Sequence, residues 1–227
     1  MLRALAAGVL ATSLFGWLSP EPDASFRADM VPVAIATTGK TVLVSPFEVT
    51  MGDWAKCVED KGCSFMPKAR SSNPSLPVTG INWFDVNEYL TWANARAGGG
   101  LRLPTKDEWR WLNRSLEKPK PPPAFTDPRL AWAADYGSET PATGPVLPSG
   151  SFSKTPDGIS DLDGNVWEWT MSCAQTLPGD DTRCPAYFAE GAHESVLSVF
   201  IRNPAQGGCA TGSPPTHIGF RLVAEAD

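Results

Sequence analysis

The chain has 227 residues, 42% hydrophobic and 19% charged, enough apolar content to bury one core. Its 19 Lys and Arg against 25 Asp and Glu give a formal charge of -6 with no basic run, which argues against a nucleic-acid or anionic-membrane partner. Nine Trp alongside 22 Pro and 20 Gly argue against a helix bundle and point to a loop-rich α+β domain pinned by aromatics.

In chain order, Arg3 precedes an apolar run from Ala4 to Leu18, followed by Ser19-Pro20 and the small pair Ala24-Ser25. This is the pattern of a secretory signal peptide cleaved near Ala24; the run is short for a membrane span. Three parts are expected: a signal peptide over 1–24, an N-terminal extension over 25–40 and a domain over 41–227. Thr41–Val44 and Phe47–Val49 read as extended. Thr50 with Asp53 starts a first helix, for which Gly62 suits a left-handed exit. Asn82 with Asp85 starts a second, running to about Arg96 and stopped by Gly98-Gly99-Gly100. Thr105 with Glu108 forms a capping box for a third, with Trp109, Leu112 and Leu116 on one stripe. From Lys118 to Ser153 the prolines exclude regular structure. Ser198–Ile201 and Phe220–Val223 read as late strands, and an N-terminal strand is expected to pair with a C-terminal one.

Export makes an oxidising compartment, periplasmic or extracellular, the expected setting for the five cysteines. Cys57 and Cys63 bracket a short polar loop, as do Cys173 and Cys184, so each pair is positioned to form a local disulfide, with Cys209 left over. A zinc site lacks support, because there is no Cys-x-x-Cys and the only His are His193 and His217.

Four segments then carry a family resemblance: Pro77 to Leu90, Leu101 to Trp109, Asp161-Leu-Asp-Gly-Asn-Val-Trp-Glu-Trp169, and His217-Ile-Gly-Phe-Arg-Leu222. In this order and spacing, from about Val42 to Val223, they resemble the formylglycine-generating enzyme, or sulfatase-modifying factor, domain family. The resemblance implies an α+β fold related to C-type lectins, with little regular secondary structure. Taken alone, Arg102, Trp109 and Arg221 read as groups that satisfy carbonyls and fill the core.

The segment around Gly164 offers hard oxygen ligands at short range: carboxylates from Asp161 and Glu168, and a glycine that lets the backbone turn its carbonyls inward. That chemistry suits calcium. The family binds calcium at this motif, and the resemblance places the ligands at Asp161, Gly164, Val166 and Glu168. The competing reading has Glu168 accepting hydrogen bonds from loop amides in an ion-free site.

The departure from the family lies in catalysis. Aerobic members hold copper through two cysteines that follow an Arg-Gly-Gly-Ser-Trp-like segment. Here the matching stretch is Ala189-Glu-Gly-Ala-His193, followed through Arg202 by no cysteine at all. Without thiolates to select Cu(I), the copper oxidase chemistry is expected to be absent. His193 and His217 are the only imidazoles available for another cleft chemistry, and two His without a clustered carboxylate make a thin metal site. The resemblance thus implies a non-catalytic calcium-binding interaction module with a protein partner. One exported, single-domain member of this kind is a type VI secretion accessory protein acting upstream of a membrane Ser/Thr kinase. The alternative is an oxidoreductase without the copper cysteines, acting on a protein or a siderophore precursor.

Overall fold

The computed structural model describes residues 22–68, 72–116, 145–176, 179–180, 183–203 and 217–226. The leader region, most of the proline-rich connection and Cys209 lie outside these residues. Chain order is α1 (Ser25–Ala28), β1 (Val31–Ile35), β2 (Lys40–Val44), α2 (Met51–Glu59), α3 (Trp83–Ala97), β3 (Leu101–Arg102), α4 (Lys106–Asn113), β4 (Trp167–Gln175), β5 (Ala186–Glu190), β6 (Ser195–Ser198), β7 (Ile218–Gly219) and β8 (Val223–Glu225).

The three longer helices share one starting device. Thr50, Asn82 and Thr105 each accept a hydrogen bond from the backbone of the residue three positions on, and Asp53, Asp85 and Glu108 reach back to the cap amide. Each box satisfies two amide donors that a helix start leaves without partners. α3 ends where expected, with Gly98 at φ 77. At the end of α2, however, the left-handed residue is Lys61 at φ 62. Gly62 is needed for a different reason: a Cβ there would stand 2.4 Å from the Trp92 ring. Leu116 lies beyond the end of α4 but still packs on the core stripe that Trp109 and Leu112 begin.

Two four-stranded sheets flank the core, ordered β1-β2-β8-β3 and β6-β5-β4-β7. The first ties the two ends of the domain together, since β2 pairs antiparallel with both β1 and β8. Residues 25–40 therefore contribute α1 and the edge strand β1. Phe47–Val49 forms no ladder. Instead the Ser45 and Val49 amides donate to the carbonyls of Leu222 and Phe220, both at 2.9 Å, so the chain on each side is irregular and β8 starts only at Val223. In the second sheet β6 lies three residues earlier than its sequence pattern suggests. Its partner β5 is preceded by Pro185, which cannot donate to a ladder, and the Pro185 carbonyl takes only a single bond from Val199.

One core cluster stacks Trp54 on Tyr89 with ring centres 5.6 Å apart and sets Phe220 edge-on to both. The other joins Val33, Ile35, Val42 and Val44, the alternate residues of β1 and β2, to Trp109, Leu112, Ile159 and Leu162. Cys57–Cys63 and Cys173–Cys184 are both disulfides, with Cα separations of 5.2 and 5.8 Å. The first fastens the end of α2, and the second fastens β4 to the segment entering β5.

Candidate functional site

Two polar regions stand out, one buried and one open. The buried one is centred on Arg221, which is fully enclosed, as is Glu168 on β4. Arg221 Nε donates to Glu168 Oε2 at 2.7 Å and Nη2 donates to Oε1 at 2.6 Å. The guanidinium also reaches the carbonyls of Ser160 (3.0 Å), Ser45 (3.3 Å) and Pro46 (3.4 Å). Trp109 Nε1 on α4 completes the cage with a 2.9 Å bond to Glu168 Oε2. A planar fork on a carboxylate suits such a buried pair, because five donors find five acceptor positions in fixed geometry. The same residues join both sheets, α4 and the loop before α2.

Of the predicted calcium ligands, Glu168 belongs to this centre and Asp161 acts on its charges, while Gly164 and Val166 lie in the segment leading into β4. Asp161, only 1% exposed, holds a left-handed backbone with φ 69. Its carboxylate accepts the Phe152 amide at 2.8 Å and the Gly150 amide. Asn165 shares the left-handed conformation, also with φ 69, and its side chain accepts the Leu147 amide and donates to the Leu147 carbonyl. Gly164 lies in a bend but is not left-handed; a Cβ there would meet the Phe152 ring at 2.2 Å, so the glycine also makes room for that ring. Val166 is buried beside it.

The centre also contains an acid that the sequence reading passed over. Glu48 is 2% exposed, its Oε2 has no hydrogen-bond partner, and its Oε1 receives only a 3.3 Å bond from Asn165. Burial pushes its carboxyl up to about 8; the Arg221 guanidinium opposes that shift, and the neighbouring Glu168 and Asp161 carboxylates add to it. Its only sequence signal was a charge set between Phe47 and Val49. Three carboxylates thus face one guanidinium. Glu168 and Asp161 already accept bonds from Arg221, Trp109 and the loop amides, whereas Glu48 Oε2 stays unpartnered, and the three carboxylates are not grouped as a metal site.

The open region is a cleft of about 620 Å³ between the loop after α2, the loop before α3 and the start of β7. Phe65, Leu76, Pro77, Val146 and Ile218 give it apolar walls, and Lys68, Arg202 and His217 give it nitrogen. Arg202 is fixed by Asp85, through Nε to Oδ2 and Nη2 to Oδ1, both at 2.7 Å, and its guanidinium lies 4.1 Å from the centre of the Phe65 ring. Asp85 is thereby both the cap partner of α3 and the anchor of the cleft wall.

The two histidines do not share this cleft. His217 lines it, whereas the His193 ring packs edge-on to Trp167 with centres 5.4 Å apart, and Trp167 Nε1 donates to the His193 carbonyl at 3.0 Å. Around His193 lies an ionic network in which Arg110 contacts Glu190 and Glu194, and Lys106 contacts Glu194 at 3.3 Å. Gly191 is required beside it, because a Cβ there would sit 2.6 Å from Trp167. The degraded segment from Ala189 to His193 is thus filled with ion pairs and packing. Among the described residues no group of three or more His, Cys, Asp or Glu has the geometry of a metal site.

Fold and motifs together define an α+β scaffold of the formylglycine-generating kind. The model of the FGE-sulfatase family, the sulfatase-modifying factor enzyme 1-like domain, matches residues 24–226, and the chain belongs to that family. It is 28% identical over 204 residues to the formylglycine-generating enzyme of Thermomonospora curvata, covering 77% of this chain and 62% of that one. It is 33% identical over 161 residues to the inactive C-alpha-formylglycine-generating enzyme 2 of Mus musculus, covering 66% of this chain and 50% of that one. The chain thus spans between half and about three-fifths of the length of these relatives. The structure of PvdO from Pseudomonas aeruginosa shares the fold, with a TM-score of 0.58 at 19% identity over 83% of this chain and 82% of that one.

Proposed function

We propose that this chain is an exported, non-catalytic binding module on the formylglycine-generating scaffold, stabilised by a calcium-type cation and presenting the open cleft to a protein partner. The observation that carries the reading is the lack of any cysteine from Ala189 to Arg202, where the family's copper thiolates are expected. The four described cysteines are all tied up in disulfides. With no thiolate there, soft-ligand selection of Cu(I) has no basis. The similarity to a relative named as inactive supports the same reading.

The cation would use the carboxylates of Asp161 and Glu168 and the carbonyls of Gly164 and Val166, and its role would be to balance charge and hold loops. Two disulfides fit an oxidising compartment, with the periplasm as the proposed location. Among the described residues no helix is long and apolar enough to cross a membrane. A type VI secretion accessory role upstream of a membrane Ser/Thr kinase is the specific setting proposed, on the likeness in length, export and lack of the cysteines alone.

Competition for Cu(I) against a chromogenic chelator tests the reading. The purified oxidised protein is expected to withdraw no copper, and one tightly held equivalent would overturn it.

A further inference from the structure

The cleft differs from its surroundings in charge. Although the chain carries a net charge of -6, no Asp or Glu is found among the described residues that line the cleft. Asp85, which anchors Arg202 of the cleft wall, has both oxygens bound by that guanidinium. Lys68 is exposed and makes no hydrogen bond or ion pair among the described residues. A second cavity of similar size, about 600 Å³ beside α1, α2 and α3, has the opposite balance: Asp23, Asp29, Glu48, Asp53, Glu59 and Asp60 line it against Lys56 and Arg96. A cation entering the cleft would meet Lys68 with no counter-charge, whereas a carboxylate would meet an available ammonium at the edge of apolar walls.

The surroundings fit a peptide rather than an acyl chain. Thr79 and Asn203 line the same cleft, and hydroxyl and amide groups of this kind pair with peptide units. Beside the Arg202–Asp85 pair, Phe200 is 73% exposed and its ring centre lies 5.4 Å from that of the half-exposed Phe84. An exposed aromatic pair adjoining a cleft offers a landing place for apolar residues further along the same segment. Arg202, held by Asp85 and stacked on Phe65, presents that wall already ordered, which lowers the entropy lost on binding.

From this juxtaposition we propose that the cleft binds the apolar carboxy-terminal end of a partner polypeptide, with the terminal carboxylate at Lys68, the last side chains against Phe65, Leu76 and Ile218, and the preceding residues over Phe84 and Phe200. The inference rests on reading the cleft as a binding site and adds the chemistry that it selects.

The test is a chemical-shift titration of the labelled protein with N-acetyl-Leu-Phe-Leu as the free acid, the same peptide as the amide, and octanoate. The acid should bind saturably near Lys68 and Ile218 at least fivefold more tightly than the amide, with octanoate weaker than either. Lys68→Glu should abolish the preference for the acid, Lys68→Met should reduce it, and Phe200→Ala should weaken both peptides equally. Equal affinity for acid and amide, an unchanged preference in Lys68→Glu, or octanoate binding more tightly than the peptide acid would each overturn the inference. Equal affinities would still leave the cleft a binding site. Copper retention would instead defeat the non-catalytic reading and leave the charge preference standing, so the two failures are distinguishable.

Discussion

Arg221 and Glu168 are fully enclosed and spend their donors and acceptors on each other, on Trp109 and on three loop carbonyls. Lys68, at the open cleft, is solvent-exposed and spends nothing on the protein among the described residues. Both regions are polar, yet in the first nearly all polar groups serve the fold, Glu48 Oε2 apart, while in the second Lys68 is left unspent among the described residues. The contrast teaches where to look for function. The buried motif residues hold the loops in place, and the recognition proposed above would fall to the open cleft beside them.

The largest expected effect comes from breaking the buried pair. Arg221→Met leaves Glu168 charged and without its partner in the core, which costs about 3–5 kcal/mol and is measured as a fall in the urea midpoint. Lys68→Glu should by contrast stay within about 0.5 kcal/mol of the parent, as an exposed substitution does. Comparable losses in the two variants would erase the distinction drawn above.

Opening either disulfide sits next in size. Cys57→Ser with Cys63→Ser, or Cys173→Ser with Cys184→Ser, should each cost about 2–3 kcal/mol by the loop-closure model, with little change in the slope of unfolding.

A third test uses pH on Glu48. Its carboxyl sits near 8 in the folded protein, against 4.5 ordinarily, so above about pH 4.5 the unfolded chain releases a proton that the folded one keeps. This group therefore stabilises the fold most below its ordinary value, and that contribution is lost as pH rises towards 8. In the presence of chelator the thermal midpoint should show this decline, and Glu48→Gln should flatten it. Calcium should raise the midpoint of the parent at pH 7.5 by several degrees and that of Asp161→Asn by much less. A parent midpoint indifferent to calcium would remove the proposed cation and leave the centre as a hydrogen-bonded one.

Smaller still is Gly62→Ala. Because the nearest atoms to the added Cβ belong to Trp92, whose Nε1 donates to Asp60 at 3.0 Å, the ring must shift at a cost of about 1–3 kcal/mol confined to the α2–α3 contact. Hydrogen exchange should rise there and remain unchanged around Glu168.

Much of this was legible in the sequence, and unevenly so. The caps at Thr50, Asn82 and Thr105 are local devices, so residues three apart revealed them. The two disulfides were equally visible because each spans a short loop. The four family segments gave the scaffold, and the match over residues 24–226 agrees with it. Strand limits were harder to read: Val49 and Ser45 pair with Phe220 and Leu222 outside any ladder, a long-range arrangement that alternation cannot reveal. Gly62 stands at the end of α2 for room rather than for a left-handed turn, since the crowding by Trp92, like that by Phe152 at Gly164, exists only after folding. Glu48 and Arg202 went unnoticed because neither stands in a motif; one matters by its burial and the other by its contact with Asp85, 117 residues away in the chain.

The most direct test of the central claim is oxygen uptake by the copper-supplemented protein with a cysteine-containing peptide and a thiol reductant, followed by mass spectrometry of the peptide. Uptake no greater than in protein-free buffer and an unmodified cysteine are expected. Multiple-turnover oxygen consumption with conversion of that cysteine to formylglycine would contradict it.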